Sequence, residues 1–370
     1  MTFDFIIFGS GISAKITSIA LANKDFSVCI IADRDSAENK VQSNLVTFLS
    51  YGSISYLQTM IPNRNVFDSF EGVRSIHCQL DSTKGNKNQN ITFDSKNDEI
   101  LGKIIKNSYL EKYLNEEIDQ HKNIHFIGKD KLKSIKTLGQ GIQCEIHKQN
   151  SINAKLFILS SSYYQKLIKN LNIDFIHQDF EQNALSISIK ANIKNENFAF
   201  QKFTREGPIA LLPYSKNEAS VVWSLKKRSS ILKKDTKELE AELNFHLQQY
   251  ISELEIIDLE KHSLKFSFAK KLYSNNIVLL GNIAHNIHPI AGQGLNLNIK
   301  DIALFVKTVF EYASIGYNID NQSVLQKFDE NRKLDNVVYS FGILTLEHLL
   351  TSNNKFINFA ARKGVKIFEK

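Results

Sequence analysis

Residues 281–301 read GNIAHNIHPIAGQGLNLNIKD, and this stretch decides how the rest of the chain is interpreted. An apolar, β-branched run at Asn276–Leu280 precedes it, and a helical pattern at Leu295–Tyr312 overlaps its end. The stretch therefore joins a strand to a helix. Its glycines and polar residues predict a binding loop at that junction.

Four residues of this loop have a physical reason to contact a ligand. Gly281 ends the strand where another molecule could pass close to the backbone, and the Asn282 side chain offers both a donor and an acceptor. Gly292 and Gly294 free the backbone at the helix start. The N–H groups there, together with the helix dipole, favour a developing negative charge.

The N-terminal segment has the pattern of a βαβ unit. An apolar run, a glycine turn, a helical pattern and a second β-branched run follow one another between Phe3 and Ile31. Gly9 allows the tight turn, and Gly11 lets N–H groups approach a pyrophosphate at the helix N-terminus. Ala14 is small enough for close helix–strand packing. The pattern predicts a dinucleotide site, with an ordinary βαβ turn or an NAD site as the alternatives.

The loop at 281–301 resembles the second FAD motif of the FAD-dependent aromatic hydroxylases, the para-hydroxybenzoate-hydroxylase-like family, written G-[DN]-A-A-H-x-x-x-P-x-x-G-Q-G-x-N-x-x-x-x-D. The matching residues are Gly281, Ala284, His285, Pro289, Gly292, Gln293, Gly294, Asn296 and Asp301. Within Phe203–Trp223, the run GPIALLP resembles the ubiquinone-biosynthesis branch of that family, the 2-polyprenyl-6-methoxyphenol hydroxylases. Arg332 and Asp335 resemble its R-x-x-D pair.

The resemblance covers nearly the whole chain and implies its fold class, which is α/β with an α+β insert. A Rossmann-like FAD-binding domain would be interleaved with a mainly antiparallel β-sheet substrate domain, followed by a helical C-terminus. We expect the FAD-binding domain at 1–72, 97–165 and 272–315, the substrate domain at 73–96 and 166–271, and the helical region at 316–370.

The resemblance also implies an FAD-dependent NAD(P)H aromatic-ring monooxygenase. Its substrates would be O2 and a polyprenylated phenol of ubiquinone biosynthesis, with NADH or NADPH as electron donor. The implied cofactor-binding residues are Gly9, Gly11, Ala14, Asp33, Gly281, Asn282, Gly292, Gly294, Leu295 and Asn296. Those implied at the flavin side of the active site are His288, Pro289 and Gln293. No metal is expected, because Pro289 disfavours a helical pair of His285 and His288, and no acidic ligand is adjacent.

The sequence departs from the family pattern at three contacts. Ala32 stands where an acidic residue usually binds the ribose, with Asp33 one residue later, and Leu45 stands where an arginine is usual. Ser160–Ser162 replaces an A-D-G motif, and each lost charge-assisted hydrogen bond is worth ~1.5–3 kcal/mol. Two outcomes stay open: an enzyme that binds FAD by altered contacts, or a non-catalytic paralogue that acts as a partner in the ubiquinone-biosynthesis complex.

Two other activities also stay open. A hydroxylase of a soluble aromatic acid would need an arginine for the carboxylate, and Arg205 is the candidate. A flavin reductase of prenyl chains shares the framework of the family but not the GPIALLP run.

Periodicity predicts the elements between the motifs. Helices are expected at Gly52–Met60, Leu101–Gln120, Asp235–Ile251 and from Ser323 onward. Strands are expected at Val73–Gln79, Asn90–Phe93, Ile124–Ile127, Ser134–Ile135, Ile142–Ile146, Leu156–Ser160, Ala184–Ala191, Ile209–Leu212, Ser220–Leu225 and Leu264–Phe268, with a polar hairpin at Asp81–Asn88.

Composition limits the setting of the protein. The 370 residues are 42% hydrophobic and carry a formal net charge of +7, which fits a lysine-rich globular chain rather than a nucleic-acid binder. Cys29, Cys78 and Cys144 are sparse and widely spaced, which favours a reducing compartment. The N-terminus lacks the pattern of a secretory signal, and the chain lacks an apolar run of the ~18 residues that a membrane span needs. We therefore expect a cytoplasmic protein.

The C-terminal segment Asn353–Lys370 has two interpretations. Its phenylalanines and lysines at helical spacing fit an interfacial helix, which would place the protein peripherally on the inner membrane face. They equally fit a surface helix that packs its phenylalanines on the core.

Overall fold

The computed structural model describes residues 1–32, 45–61, 64–80, 89–96, 99–128, 132–138, 141–146, 151–161, 172–287 and 292–351. The helices are α1 Ile12–Ala22, α2 Tyr51–Met60, α3 Asn107–Gln120, α4 Thr236–Leu247, α5 Gln293–Ser314 and α6 Gln322–Thr351. The strands are β1 Thr2–Phe8, β2 Val28–Ile31, β3 Val46–Ser50, β4 Gly72–Val73, β5 Ser75–Leu80, β6 Gln89–Asp94, β7 Gly102–Lys106, β8 Ile124–Ile127, β9 Leu132–Thr137, β10 Ile142–Ile146, β11 Ser151–Leu159, β12 Phe175–Ile193, β13 Phe198–Phe203, β14 Pro208–Pro213, β15 Glu218–Lys226, β16 Ile251–Ala269, β17 Tyr273–Ser274, β18 Ile277–Leu279 and β19 His285–Asn286.

A largely parallel sheet forms the framework, in the order β17-β18-β11-β1-β2-β8. The strands β18, β11, β1, β2 and β8 run parallel, and β10 and β9 extend the sheet antiparallel from the first half of β11. The central strands are continuous apolar runs because helices cover them. Helix α1 packs against α3 and α5 over this sheet.

A second sheet is antiparallel except for one pair, in the order β19-β16-β12-β15-β14-β13-β5-β6. Its two faces differ because side chains alternate along each strand. One face carries large apolar residues such as Leu185, Ile187 and Trp223, which pack under α4. The other carries small residues, including Ala184, Ser186 and Ala210, and faces the framework.

A small third sheet, β3-β7-β4, lies between the two larger sheets. Its buried Phe48 and Ile104 contact Ala199 and Leu212 of the second sheet. The order of parallel framework, antiparallel insert and returning framework confirms the expected fold class. The helix expected from Ser323 onward is confirmed as α6 as far as Thr351, where the described residues end.

Several expected elements were wrong in extent, among them the strand expected at Ala184–Ala191, which is part of the longer β12. Residues 102–106 form β7 rather than the start of a helix, and α3 begins only at Asn107. Gly102 makes this pairing possible, because a Cβ there would lie 2.1 Å from the carbonyl oxygen of Leu49. The helix expected through Ile251 ends at Leu247, and β16 then runs from Ile251 to Ala269. The strand expected at Leu264–Phe268 was too short, because the charged residues in the first part of β16 obscure its apolar pattern.

Some sequence expectations concern residues outside the described part of the chain. These are Asp33, Ser162, His288, Pro289, the hairpin 81–88 and the segment 353–370. Among the residues that the structure does describe, no helix has both the length and the apolar character needed to cross a bilayer.

Candidate functional site

Three neighbouring parallel strands end at one edge of the framework sheet. Strand β1 ends at Phe8, β11 at Leu159 and β18 at Leu279, and the three lie side by side. The segments that follow them, 9–13, 160–161 and 281–282, therefore meet. Ligands of open α/β sheets bind at this carboxyl edge.

The turn after β1 is shaped by Gly9. Its φ is +140°, and a Cβ there would lie 3.2 Å from the backbone carbonyl of Ser160. Gly11 caps α1 without any side-chain hydrogen bond, and the first turn of that helix has no acidic residue. Ala14 is fully buried in the framework core, as its packing role requires. The positive end of the α1 dipole is thus open to an anionic group.

The loop after β18 contacts this first turn. Gly281 has a φ of +87°, and a Cβ there would lie 3.0 Å from Cβ of Ser13. The Asn282 Oδ1 accepts a hydrogen bond of 2.8 Å from Asn298 Nδ2, which also lies 3.4 Å from Ser13 Oγ. The Asn282 amide nitrogen stays available as a donor to a ligand.

Two buried polar atoms at this edge point to a missing hydrogen-bonding partner. Within the described part of the chain, Ser160 Oγ and Asn298 Oδ1 are buried and have no partner. A buried polar atom without a partner costs about 1–3 kcal/mol. A ligand with several hydroxyl and phosphate oxygens would satisfy both, so the residues present fit a dinucleotide.

Gly292 and Asn296 set the start of α5. Gly292 caps the helix with a φ of +61°. Asn296 is buried, and its Oδ1 accepts from the backbone N–H of Ser50 at 2.8 Å. Its Nδ2 donates to the carbonyl oxygens of Phe48 at 2.8 Å and Gly292 at 3.3 Å. The side chain therefore ties the helix start to β3, and any effect on a ligand is one of positioning.

A cleft with a volume of about 550 Å³ lies between these loops and the small-residue face of the second sheet. The volume lies in the range of small-molecule sites, roughly 300–1,000 Å³. Of the residues expected at the site, those that line the cleft are Gly11, Asn282, Gly292, Gly294 and Leu295. Four other expected residues pack behind the residues that line the cleft: Gly9, Ala14, Gly281 and Asn296. Gln293 lies at the start of α5.

The residues where the sequence departs from the family pattern also lie here. Leu45 and Ser160–Ser161 line the cleft, and Ala32 is buried just after β2. These positions present hydroxyl and apolar groups instead of charges.

Sequence reasoning missed several residues that line the cleft. They are Ser13, Ser186, Gln201 and Asn298. Asn298 could have been identified from the sequence, because it is a polar residue within the apolar pattern of α5. Ser186 alternates with the apolar residues of β12, but alternation alone does not show that its face borders a ligand. Gln201 had no signal, because every residue of β13 is buried.

A buried charged network lies beside the second loop. His285 hydrogen-bonds through Nε2 to Asp301, and Arg332 Nε donates to Asp301 Oδ1 at 2.5 Å. Arg332 also donates to Asp335 and Asn336, at 2.7 Å each. Burial alone would raise the pKa of the Asp301 carboxyl, but His285 and Arg332 outweigh it and hold that pKa below its ordinary value. The network joins α5, α6 and the short strand β19.

Comparisons with known proteins agree with this geometry. Residues 6–312 match the family model described as FAD binding domain. The mitochondrial ubiquinone biosynthesis monooxygenase COQ6 of Dictyostelium discoideum is 22% identical over 99% of this chain and 88% of its own length. The 3-demethoxyubiquinol 3-hydroxylase of Escherichia coli is 22% identical over 99% of this chain and 95% of its own.

Solved structures share the fold. The p-nitrophenol 4-monooxygenase PnpA from Pseudomonas putida superposes with a TM-score of 0.79 at 10% identity, covering 100% of this chain and 93% of that one. PqsL of P. aeruginosa, in complex with 2-aminobenzoylacetate, gives 0.77 at 16% identity, covering 97% and 99%. The match to the family model extends from the first framework strand to the end of α5, and on that ground the chain belongs to the FAD binding domain family.

Proposed function

We propose that this protein is an FAD-dependent monooxygenase that hydroxylates the aromatic ring of a polyprenylated phenol in ubiquinone biosynthesis, using NADH or NADPH and O2. One observation carries the proposal. The cleft has the dinucleotide loops of the framework as one wall and the small-residue face of the antiparallel sheet as the other. A cofactor ring and an aromatic substrate can therefore lie face to face there.

We assign the cofactor wall to the two glycine loops. The open N-terminus of α1 suits the pyrophosphate, with Gly9 and Gly11 giving the backbone clearance. The Asn282 amide nitrogen suits a ribityl hydroxyl, because its oxygen is already engaged by Asn298. His288, Pro289 and Gln293 are assigned to the flavin side by resemblance, and Asp33 to the ribose. FAD, once bound and reduced, would supply the activation of O2.

The chain itself contributes orientation and the exclusion of water. The start of α5, held by Asn296, presents backbone N–H groups and a dipole toward negative charge. The second sheet covers the opposite side and limits water at the reacting ring. In this proposal the segments 1–72, 97–165 and 272–315 bind FAD, 73–96 and 166–271 bind substrate, and 316–370 closes the molecule.

The relatives support the substrate class. The two curated relatives named above are a ubiquinone biosynthesis monooxygenase and a demethoxyubiquinol hydroxylase, and each matches nearly the full length of this chain. A soluble aromatic acid is a weaker candidate. Arg205, the arginine that such a substrate would need, is exposed on the turn between β13 and β14, away from the cleft lining.

The first experiment is the visible absorption spectrum of the purified protein, followed by an FAD titration. We expect a flavin spectrum that NAD(P)H bleaches, and faster bleaching when a prenylphenol is added. Gly11→Ala and Gly52→Ala form a matched pair, because an added Cβ meets no atom within 4 Å at either site, and only Gly11 lines the cleft. Only Gly11→Ala should lose affinity. A wild-type protein with no saturable FAD binding would favour the non-catalytic partner instead.

We also propose a peripheral membrane contact, because an isoprenoid tail keeps the substrate at the bilayer. Segment 353–370 is the sequence candidate for this contact. Deletion of the segment should release the protein from anionic liposomes in a co-sedimentation assay. Equal sedimentation of the deletion variant and the full chain would exclude this role for the segment.

A further inference from the structure

Gln201 is an unusual residue of the second sheet. It lies in the middle of β13, it is 6% exposed, and it belongs to the lining of the cleft. Among the described residues its carboxamide makes no hydrogen bond, and its polar atoms are not among the fully buried ones, so they are open to the cleft. A ligand that fills the cleft would desolvate this amide, and a desolvated amide is costly unless the ligand gives it a hydrogen-bond partner.

The strand register explains why Gln201 has no partner among the residues that the structure describes. Gln201 pairs with Ala210 on one side and with Cys78 on the other, and Ala210 pairs with Val222. These neighbours offer a methyl group, a weakly hydrogen-bonding thiol and an isopropyl group. On β13 itself, the next residues on the same face are Ala199 and Phe203.

The same cross-strand row contains a contrasting polar group at its other end. Val222 pairs with Ser186, which pairs with Glu260 on β16. Glu260 Oε2 lies 3.1 Å from His262 Nε2, and the two side chains are 21% and 40% exposed. The Glu260 and His262 side chains are thus hydrogen-bonded to each other, whereas the Gln201 carboxamide has no partner among the described residues. Four strand spacings, ~19 Å in all, separate the two ends, so one ring cannot contact both.

We propose that Gln201 binds the phenolic oxygen of the aromatic substrate and thereby determines which ring carbon faces the cofactor. The inference rests on the proposed function and deepens it. The carboxamide can accept a hydrogen bond from a phenol O–H and donate one to an ether or phenol oxygen. A ring without such an oxygen would leave the amide desolvated and unpaired. Sites of this kind discriminate strongly against the analogue that lacks the polar group.

The test compares two probes on the FAD-loaded protein. One is a methoxyphenol that carries one short prenyl chain, and the other is the same molecule without its phenolic hydroxyl. Binding is measured by the change in the flavin spectrum. We expect the wild type to prefer the phenol by about ten- to hundredfold, and Gln201→Leu to lose that preference while binding FAD normally.

Two further variants separate binding from folding. Gln178→Leu places the same substitution at an exposed site on β12, outside the cleft lining, and should keep the preference of the wild type. Gln201→Glu keeps the acceptor but loses the donor, and should bind the phenol more weakly than the wild type does. During turnover, the Gln201→Leu variant should form more hydrogen peroxide per NAD(P)H oxidised than the wild type does, because the substrate ring is no longer held in place.

The outcomes are distinguishable. A wild type that binds FAD and hydroxylates the phenol, with a Gln201→Leu variant that keeps the same preference and the same peroxide fraction, would overturn the role of Gln201 alone. A wild type that binds no FAD overturns the proposed function, and this inference with it.

Discussion

Arg332 on α6 lies against Asp301 on α5, with its Nε 2.5 Å from the carboxylate oxygen Oδ1. Both side chains are buried, and His285 contacts the other oxygen of the same carboxylate. One carboxylate thus links α6 to β19, the short strand within the second glycine loop. Removal of one partner of such a buried pair leaves an uncompensated charge.

We expect Asp301→Asn to lower the free energy of unfolding by about 3–5 kcal/mol at pH 7. The pKa of Asp301 is held below its ordinary value, so its contribution to stability is present above pH ~4 and is lost as pH falls through the lowered pKa. The difference between variant and wild type should therefore shrink toward low pH. Urea unfolding at several pH values measures it.

The control for this experiment is Asp119→Asn, which removes an exposed carboxylate on α3. It should change stability by no more than about 0.5 kcal/mol. A gap between Asp301→Asn and wild type that stays constant from pH 7 to acid would contradict the linkage.

Gly9→Ala and Gly11→Ala should affect different properties, the first stability and the second FAD affinity. At Gly9 an alanine is strained, because φ is +140° and the Cβ approaches the Ser160 carbonyl, so the protein without FAD should lose about 1–3 kcal/mol. At Gly11 the backbone is extended and the space is open, so stability should be unchanged. FAD affinity should nevertheless fall about tenfold or more if FAD binds as proposed, because the added methyl group would lie in the lining of the cleft.

Thermal unfolding without FAD, paired with an FAD titration, separates the two variants. If Gly11→Ala bound FAD as tightly as the wild type does, the pyrophosphate would not lie at the N-terminus of α1.

Asn296→Asp should disturb the cleft, although Asn296 itself does not line it. The change replaces the Nδ2 donor by a carboxylate oxygen that faces the carbonyl oxygens of Phe48 and Gly292. We expect a loss of at least about 1–3 kcal/mol of stability, together with weaker FAD binding. Asn115→Asp on the exposed side of α3 makes the same chemical change and should have neither effect. Equal behaviour of the two variants would exclude a positioning role.

The thiols of the framework should be unreactive in the native protein. Burial raises the pKa of Cys29 to about 12, and Cys144 is equally buried. Because the thiolate is the reactive form, a disulfide reagent at pH 8 should modify neither until the sheet opens. In a Cys78→Ser variant, the rate of modification in increasing urea then reports framework opening alone. Rapid stoichiometric labelling without denaturant would contradict the buried placement.

The part of the site that could be predicted from sequence is the part that local backbone chemistry determines. The turns at Gly9 and Gly281 need positive φ and close approach, so their glycines carry a signal in the sequence itself. The family motif then supplied the rest of the second loop.

What could not be predicted depends on partners distant in sequence. Residues 102–106 directly precede helix α3 in the sequence, and they form a strand only because they pair with β3 and β4. Gln201 lies in a strand whose residues are all buried, so alternation could not tell which side chain faces the cleft. Its neighbour β5 lies more than a hundred residues earlier, in a parallel pairing that local periodicity does not encode.

The position of β18 has a consequence for synthesis. This strand pairs with β11, which pairs with β1, so the edge that bears Gly9 is complete only when residues 277–279 have been made. A growing chain on the ribosome carries the first glycine turn for most of its synthesis without the strand that brings Asn282 beside it. Pairings over such separations form slowly, and apolar strands stay exposed meanwhile. The binding edge is therefore incomplete until residue 279 has been made, and we expect fragments that end before Ile277 to aggregate instead of binding FAD.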